Sequence, residues 1–315
     1  MNTVSRTRFL RSAAIFILAV VTTAVPVRAT LLVYEGFNGY TTGALAGQTP
    51  NNNTVGLDTA VGYYDDGVST TRTLNYSVQN TGLTFGSLTT SGGALSFTAG
   101  TNVIGADLGV TFTGTLWSSY LINLSARGSA SNDGALIRIG LKPSDSTGGH
   151  FNSWADSRPT TASTTVSVGY NATTLASTNG TASLSLNTTY IIISSFTNVG
   201  TPLSAGTTGV AKLWALTASQ YAAFLSAGGD ETALAGTSVT ATATQTITSG
   251  TFTFSTSDAF ALVTVNDAGV VDELRYGSAL ADVTPTPIPE PAATAAIMGI
   301  GCGLFFLRRR EMRRR

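Results

Sequence analysis

The stretch Thr188-Thr189-Tyr190-Ile191-Ile192-Ile193-Ser194-Ser195-Phe196 decides the fold. Tyr190 to Ile193 is the strongest apolar run between the two ends of the chain. A short, largely β-branched run of this kind predicts a central strand. Working outward, Val210 to Leu216 predicts a second strand, and Thr115 to Leu124 a long, half-buried one. Ala135 to Leu141 and Thr164 to Tyr170 alternate apolar with other residues, which predicts strands with one solvated face and Arg138 pointing to water. The loop Ser129-Ala130-Ser131-Asn132-Asp133-Gly134 is expected to close a hairpin between two of these strands. Leu31 to Phe37 opens the pattern, Leu74 to Val78 and Ala94 to Thr98 are short strands, and Thr251–Phe254, Ala259–Val265 and Val270–Tyr276 complete it. Residues 41 to 93 otherwise read as long loops.

One short helix interrupts the strands. Thr217-Ala218-Ser219-Gln220 fits a capping box, in which the Thr hydroxyl accepts the Gln amide and the Gln side chain reaches back. Tyr221, Phe224 and Leu225 then share a face, and Gly228-Gly229 ends the helix. No repeat of about 20–50 residues is present, which disfavours a solenoid or propeller.

Both ends of the chain read as targeting segments rather than fold. At the amino end, Arg6, Arg8 and Arg11 precede an apolar run from Ala13 to Val25, and Val27-Arg28-Ala29 places small residues before an expected cut between Ala29 and Thr30. At the carboxyl end, the Pro-rich hinge Thr284 to Pro291 favours an extended, solvated chain. It leads into an uncharged run of 16 residues, Ala292 to Leu307, and then into Arg308, Arg309, Arg310, Arg313, Arg314 and Arg315. As a helix the run would be about 24 Å long, short for a bilayer core of about 30 Å. The arginines would hold the carboxyl end in the cytoplasm.

The expected organisation is therefore a signal peptide (1–29), a passenger (30–283), a linker (284–291), a transmembrane helix (292–307) and a cytoplasmic Arg-rich tail (308–315). Formal net charge is zero for the whole chain, but Thr30 to Ile288 holds seven basic and fifteen acidic residues, a balance of about −8. That sign excludes nucleic acid and anionic lipid as expected partners of the passenger. The only cysteine, Cys302, lies in the apolar run, so no disulfide within the passenger can hold it together.

Two resemblances add to this reading. Pro289-Glu290-Pro291, directly before the apolar run and the arginines, resembles the PEP-CTERM sorting signal of Gram-negative bacteria. The resemblance implies export by the secretion machinery and residence in the inner membrane. It further implies processing near the triplet by an exosortase, a transpeptidase-like membrane enzyme, and delivery to the cell surface or matrix. Within the passenger, Tyr34-Glu35-Gly36-Phe37 with Tyr40 and Gly43 is similar to the start of LamG-like, concanavalin A-like domains. Thr189 to Ile193 followed by Val210 to Trp214, and Val271 to Gly277 followed by Ala281 to Pro285, are similar to later parts of them. These imply an all-β jelly-roll sandwich of two antiparallel sheets.

Chemistry-bearing motifs are scarce. The single histidine, His150, sits in Gly148-Gly149-His150-Phe151 with no nucleophile pattern around it, and no catalytic residue is assigned. Glycoside hydrolysis needs two carboxylates flanking one bond. Asp272 and Glu273 are adjacent, so a regular strand would turn them to opposite faces, and Glu273 with Arg275 reads as a structural ion pair. Asp65 and Asp66, in an acidic turn, are the candidate oxygen ligands for Ca²⁺, and no other cofactor is implied. Tyr63, Tyr64 and Trp154 are candidate platforms for a sugar ring, whereas Trp117 and Trp214 read as core. The expected function is a non-enzymatic surface or matrix protein for adhesion or exopolysaccharide association. The alternatives are a ligand-free structural envelope protein and a polysaccharide-active hydrolase.

Overall fold

The computed structural model describes residues 31–60, 62–63, 76–88, 90, 92–98, 100–126, 137–143, 151–157, 165–170, 177–179, 184–256, 258–265 and 267–285. Among them, every named strand pairing is antiparallel, and the strands form two sheets. The larger holds β1 (Leu31–Glu35), β2 (Gly43–Ala44), β3 (Tyr76–Gln79), β4 (Ala94–Phe97), β6 (Gly114–Ala126), β11 (Thr189–Val199), β12 (Gly209–Leu216), β13 (Ala241–Ile247) and β15 (Ala268–Gly277). The smaller holds β5 (Thr101–Asp107), β7 (Ile137–Pro143), β8 (Phe151–Ser157), β9 (Thr165–Tyr170), β10 (Ser177–Asn179) and β14 (Asp258–Val265). The described residues also form three helices: α1 (Ala218–Ser226), α2 (Glu231–Gly236) and α3 (Leu280–Val283).

The isoleucine run explains the layering. β11 lies between β12 and β6, with Ile191 opposite Leu216 and Leu121, and Ile192 opposite Ala215 and Tyr120. Side chains alternate across a strand. Tyr190, Ile192 and Phe196 therefore enter the core between the sheets, with Ile122 from β6 and with Ile104, Ile139, Val166 and Leu262 from the smaller sheet. Ile191 and Ile193 point the other way, into a second cluster with Trp117, Trp214, Tyr221, Phe224, Leu234, Leu280 and Val283. Helices cover the outer face of this sheet, so the strand is apolar on both sides. Trp117 and Trp214 stack there with ring centroids 6.0 Å apart.

The strand β15 is the hub of the larger sheet. One edge pairs with β6. The other pairs with β4 through Gly269–Val271 and with β1 through Leu274–Gly277. Between Asp272 and Arg275 the register on β6 slips by one residue, and Glu273 takes φ 53°, a bulge that redirects the strand.

Several expectations change. The strands expected to pair as a hairpin do not, because β6 and β7 belong to different sheets; Ser129–Gly134 itself lies outside the described residues. Thr251–Phe254 is not a strand: Phe252 and Phe254 are buried, but only an isolated bridge from Phe254 to Phe112 forms. β2, β5, β8, β10 and β13 are additional. Gly228 and Gly229 do end α1, at φ 118° and 67°, values that favour glycine. Among the described residues, no helix is long and apolar enough to cross a membrane.

Candidate functional site

The end of β1 builds a buried carboxylate–phenol cluster. Glu35 is 1% exposed, and its carboxylate accepts three donors. Phe37 N–H gives 2.6 Å to Oε1, Tyr40 hydroxyl gives 2.7 Å to Oε2, and Tyr63 hydroxyl also donates to Oε2. The Tyr40 and Tyr63 rings meet edge to face at 5.7 Å. Phe37 reaches its place with φ 52°, beneath Gly93, where a Cβ would overlap the Phe37 carbonyl. Burial pushes the Glu35 carboxyl above its ordinary range, and the three donors pull it back. Burial likewise raises the Tyr40 and Tyr63 phenols, and the Glu35 charge raises them further. With its oxygens engaged inside the fold, Glu35 ties β1 to Tyr40 and Tyr63.

A second cluster occupies the β15 bulge. Asp272 accepts from Leu83 N–H at 2.8 Å and Glu273 N–H at 2.7 Å. The expected ion pair is present: Arg275 Nη2 lies 2.7 Å from Glu273 Oε2. Tyr34 hydroxyl reaches both Glu273 oxygens at 3.1 Å, and the guanidinium sits 4.8 Å from the Tyr34 ring centroid. Among the described residues, six carboxylates are buried: Glu35, Asp258, Asp267, Asp272, Glu273 and Asp282.

The sequence-derived candidates divide clearly. Tyr63 is 2% exposed, so its ring offers no open face to a sugar. The sequence did not reveal its partner, since Glu35 lies 28 positions away and no local pattern links them. Trp154 falls in β8, opposite Arg138 and Ser167 in register. Tyr64, Asp65, Asp66, Ala29, Thr30, Pro289, Glu290, Pro291, Arg308, Arg309 and Arg310 lie outside the described residues. Among the described residues, no group of three or more His, Cys, Asp or Glu side chains is placed to hold a metal ion.

An open cleft of about 590 Å³ lies where the segment before β6, the turn after β11 and the segment before β14 converge. Thr111, Thr113 and Thr253 line it beside Ser255, whose hydroxyl is donated to Asp258 Oδ2 at 3.0 Å; Phe112 and Phe254 give an aromatic floor, and Gly200 completes the lining. The two rings meet edge to face at 6.3 Å. Phe112 N–H donates to the Phe254 carbonyl at 2.7 Å, which fixes the floor. Asp258 braces the wall from behind through Ser255 N–H at 2.7 Å. None of the lining residues is charged. This feature was not read from the sequence, because it joins three distant Thr-rich segments.

The carboxyl end of the described chain docks on the outer face of the larger sheet. Ser119 hydroxyl donates to the Val283 carbonyl, and Tyr221 hydroxyl donates to the Pro285 carbonyl at 2.8 Å. Val283 is fully buried.

No protein-family model and no curated protein matches the sequence. Among solved structures, the chain is similar to the receptor-binding domain of botulinum neurotoxin type G at 8% identity and TM-score 0.34, over 80% of this chain and 48% of that one. It thus spans about half of that chain. Basic winged bean lectin matches at 7% identity and TM-score 0.38, over 64% and 91% of the two chains. Domain 4 of the arabinanase AbnA of Geobacillus stearothermophilus, solved with arabinotriose, matches at 13% identity and TM-score 0.35, over 81% and 97%. The two-sheet assignment rests on the strand pairings of this chain.

Proposed function

We propose that this chain is an exported, non-enzymatic surface or matrix protein whose LamG-like, concanavalin A-like sandwich is delivered by its carboxyl-terminal signal. It is processed by an exosortase-type enzyme and associates with neutral exopolysaccharide. The observation that carries the delivery reading is the order of features at the carboxyl end. The folded body closes on Val283 and Pro285, and the Pro-Glu-Pro triplet at 289–291 follows at once, ahead of the apolar run and the arginines. The uncharged, hydroxyl-rimmed cleft supports the polysaccharide reading, since a neutral sugar needs hydroxyl partners and an apolar face rather than counter-charges. The non-enzymatic reading is supported by Glu35, Asp272 and Glu273, which spend their oxygens on protein donors.

Mass spectrometry of the exported protein tests delivery: loss of the residues beyond about Pro289 is expected, and an intact Arg315 in the membrane fraction contradicts it. Titration of cell-derived neutral polysaccharide tests the cleft. Phe112→Ala should weaken binding about tenfold or more, while an unchanged affinity removes the cleft from the account.

A further inference from the structure

The turn that leaves β1 carries an asparagine followed by a glycine, Asn38-Gly39, and both residues are exposed. Among the described residues, no hydrogen bond holds the Asn38 side-chain amide or the Gly39 N–H. Two donors converge instead on the carbonyl between them. Asn51 Nδ2 donates to the Asn38 backbone oxygen at 2.9 Å, and Asn53 Nδ2 donates to it at 3.2 Å. The donors are held in turn: Asn53 N–H donates to Asn51 Oδ1 at 2.8 Å, and the Thr54 hydroxyl donates to the Asn51 carbonyl at 2.8 Å. Gly39 takes φ 83°, and a Cβ there would lie 2.6 Å from Asn53 Nδ2 and 3.2 Å from Asn51 Nδ2. Glycine is what leaves room for both amides.

This arrangement acts on a single peptide group, whose oxygen belongs to Asn38 and whose nitrogen belongs to Gly39. When the Gly39 N–H gives up its proton, amide resonance carries the negative charge onto that oxygen. Donors already aimed at an oxygen stabilise the charge that develops there and make the proton easier to remove. We propose that Asn38-Gly39 is a self-modifying site, at which the folded turn speeds the loss of ammonia from Asn38. The Gly39 nitrogen, its proton passed to hydroxide, attacks Cγ of Asn38. A C–N bond forms and closes a cyclic imide. The Cγ–Nδ2 bond breaks, and Nδ2 takes a proton from water and leaves as ammonia. A second water opens the imide at either carbonyl, which leaves an aspartate or an isoaspartate at position 38. The product bears a carboxylate where a neutral amide stood, and the isoaspartate adds one methylene to the backbone. The change falls beside Phe37, whose N–H donates to Glu35 at 2.6 Å.

The test incubates the purified full-length chain in mildly alkaline buffer, folded and, in parallel, unfolded in guanidinium chloride. Peptide mapping follows conversion at position 38 over time. Conversion should run several-fold faster in the folded chain than in the unfolded one. Asn51→Asp keeps the Oδ1 that accepts Asn53 N–H but removes the donor to Asn38, and should slow the folded chain several-fold; Asn53→Ala should act in the same direction. Folded wild type that converts no faster than the unfolded chain overturns the proposal, and this comparison stands even if the variants fold poorly. Fast conversion in the folded wild type that neither variant slows overturns the part assigned to the two amides.

Discussion

Leu83 donates its backbone N–H to Asp272 Oδ2 at 2.8 Å, joining residues 189 positions apart. The contact ties the loop before β4 to the bulge of β15, in surroundings that penalise a carboxylate. Burial, with the Glu273 charge adding to it, pushes the Asp272 carboxyl up to about 8, against the pull of the Leu83 and Glu273 amides and of Arg275. In the unfolded chain the group returns to about 4. The folded protein therefore holds this proton more tightly. The resulting stabilisation is full below about pH 4, shrinks as pH rises through the window up to about 8, and is lost above it. Glu35, also raised, acts with the same sign. Thermal melts from pH 5 to pH 9 should show Tm falling by several degrees as pH rises, and Asp272→Asn should flatten the slope. A wild-type Tm that is constant across this range contradicts the account.

Tyr63→Phe deletes one of three donors to Glu35 while keeping the ring and its packing on Tyr40. Leaving a buried carboxylate short of a donor costs about 1–3 kcal/mol. Urea unfolding should move to a lower midpoint with an unchanged slope. A loss below about 0.3 kcal/mol would mean that Glu35 does not depend on this phenol.

Gly93→Ala places a methyl group against the Phe37 carbonyl, which is backbone and cannot swing aside. The turn that delivers Phe37 N–H to Glu35 must shift. Destabilisation of about 1–3 kcal/mol is expected. Gly92→Ala is the control for crowding at the neighbouring position: its Cβ would meet nothing within 4 Å, though φ 96° makes it strained in its own right. If Gly93→Ala costs no more than its neighbour, close approach to Phe37 is not what the glycine provides.

Thr217 caps α1 with the capping box expected from the sequence: Gln220 N–H meets its hydroxyl at 3.4 Å, and its own N–H meets Gln220 Oε1 at 2.9 Å. Thr217→Ala should lower stability by about 1 kcal/mol. Because α1 carries Tyr221, hydrogen exchange at the Thr284 amide should speed up as well. An unchanged Thr284 rate would separate the helix cap from the exit.

What the sequence disclosed depended on the range of the interaction. The Tyr190–Ile193 run, the Thr217 capping box and the Glu273–Arg275 pair are read within a few residues, and all three are found. β13 escaped because Ala241-Thr242-Ala243-Thr244-Gln245-Thr246-Ile247 buries small alanines, which carry little periodic signal. The expected pairing of β6 with β7 failed because turn residues between two strands do not say which sheet the next strand joins. Glu35 was visible only as an isolated acid, and its two tyrosines reach it through the tertiary fold. The cleft draws on segments from Thr111 to Ser255, and nothing local announces it.

The pairing of β1 with β15 sets a clock on the molecule. The larger sheet's first strand finds its neighbour only in its last, with Leu31 opposite Gly277. In a chain that emerges amino end first, Tyr34 bridges Val55 nearby, but the edge of β1 that meets β15 stays open while some 230 residues pass, and long-range pairing of this kind is slow to form. The final strand is also the one that completes β4 and β6. The larger sheet is therefore completed only when β15 is available, however early its other strands pair.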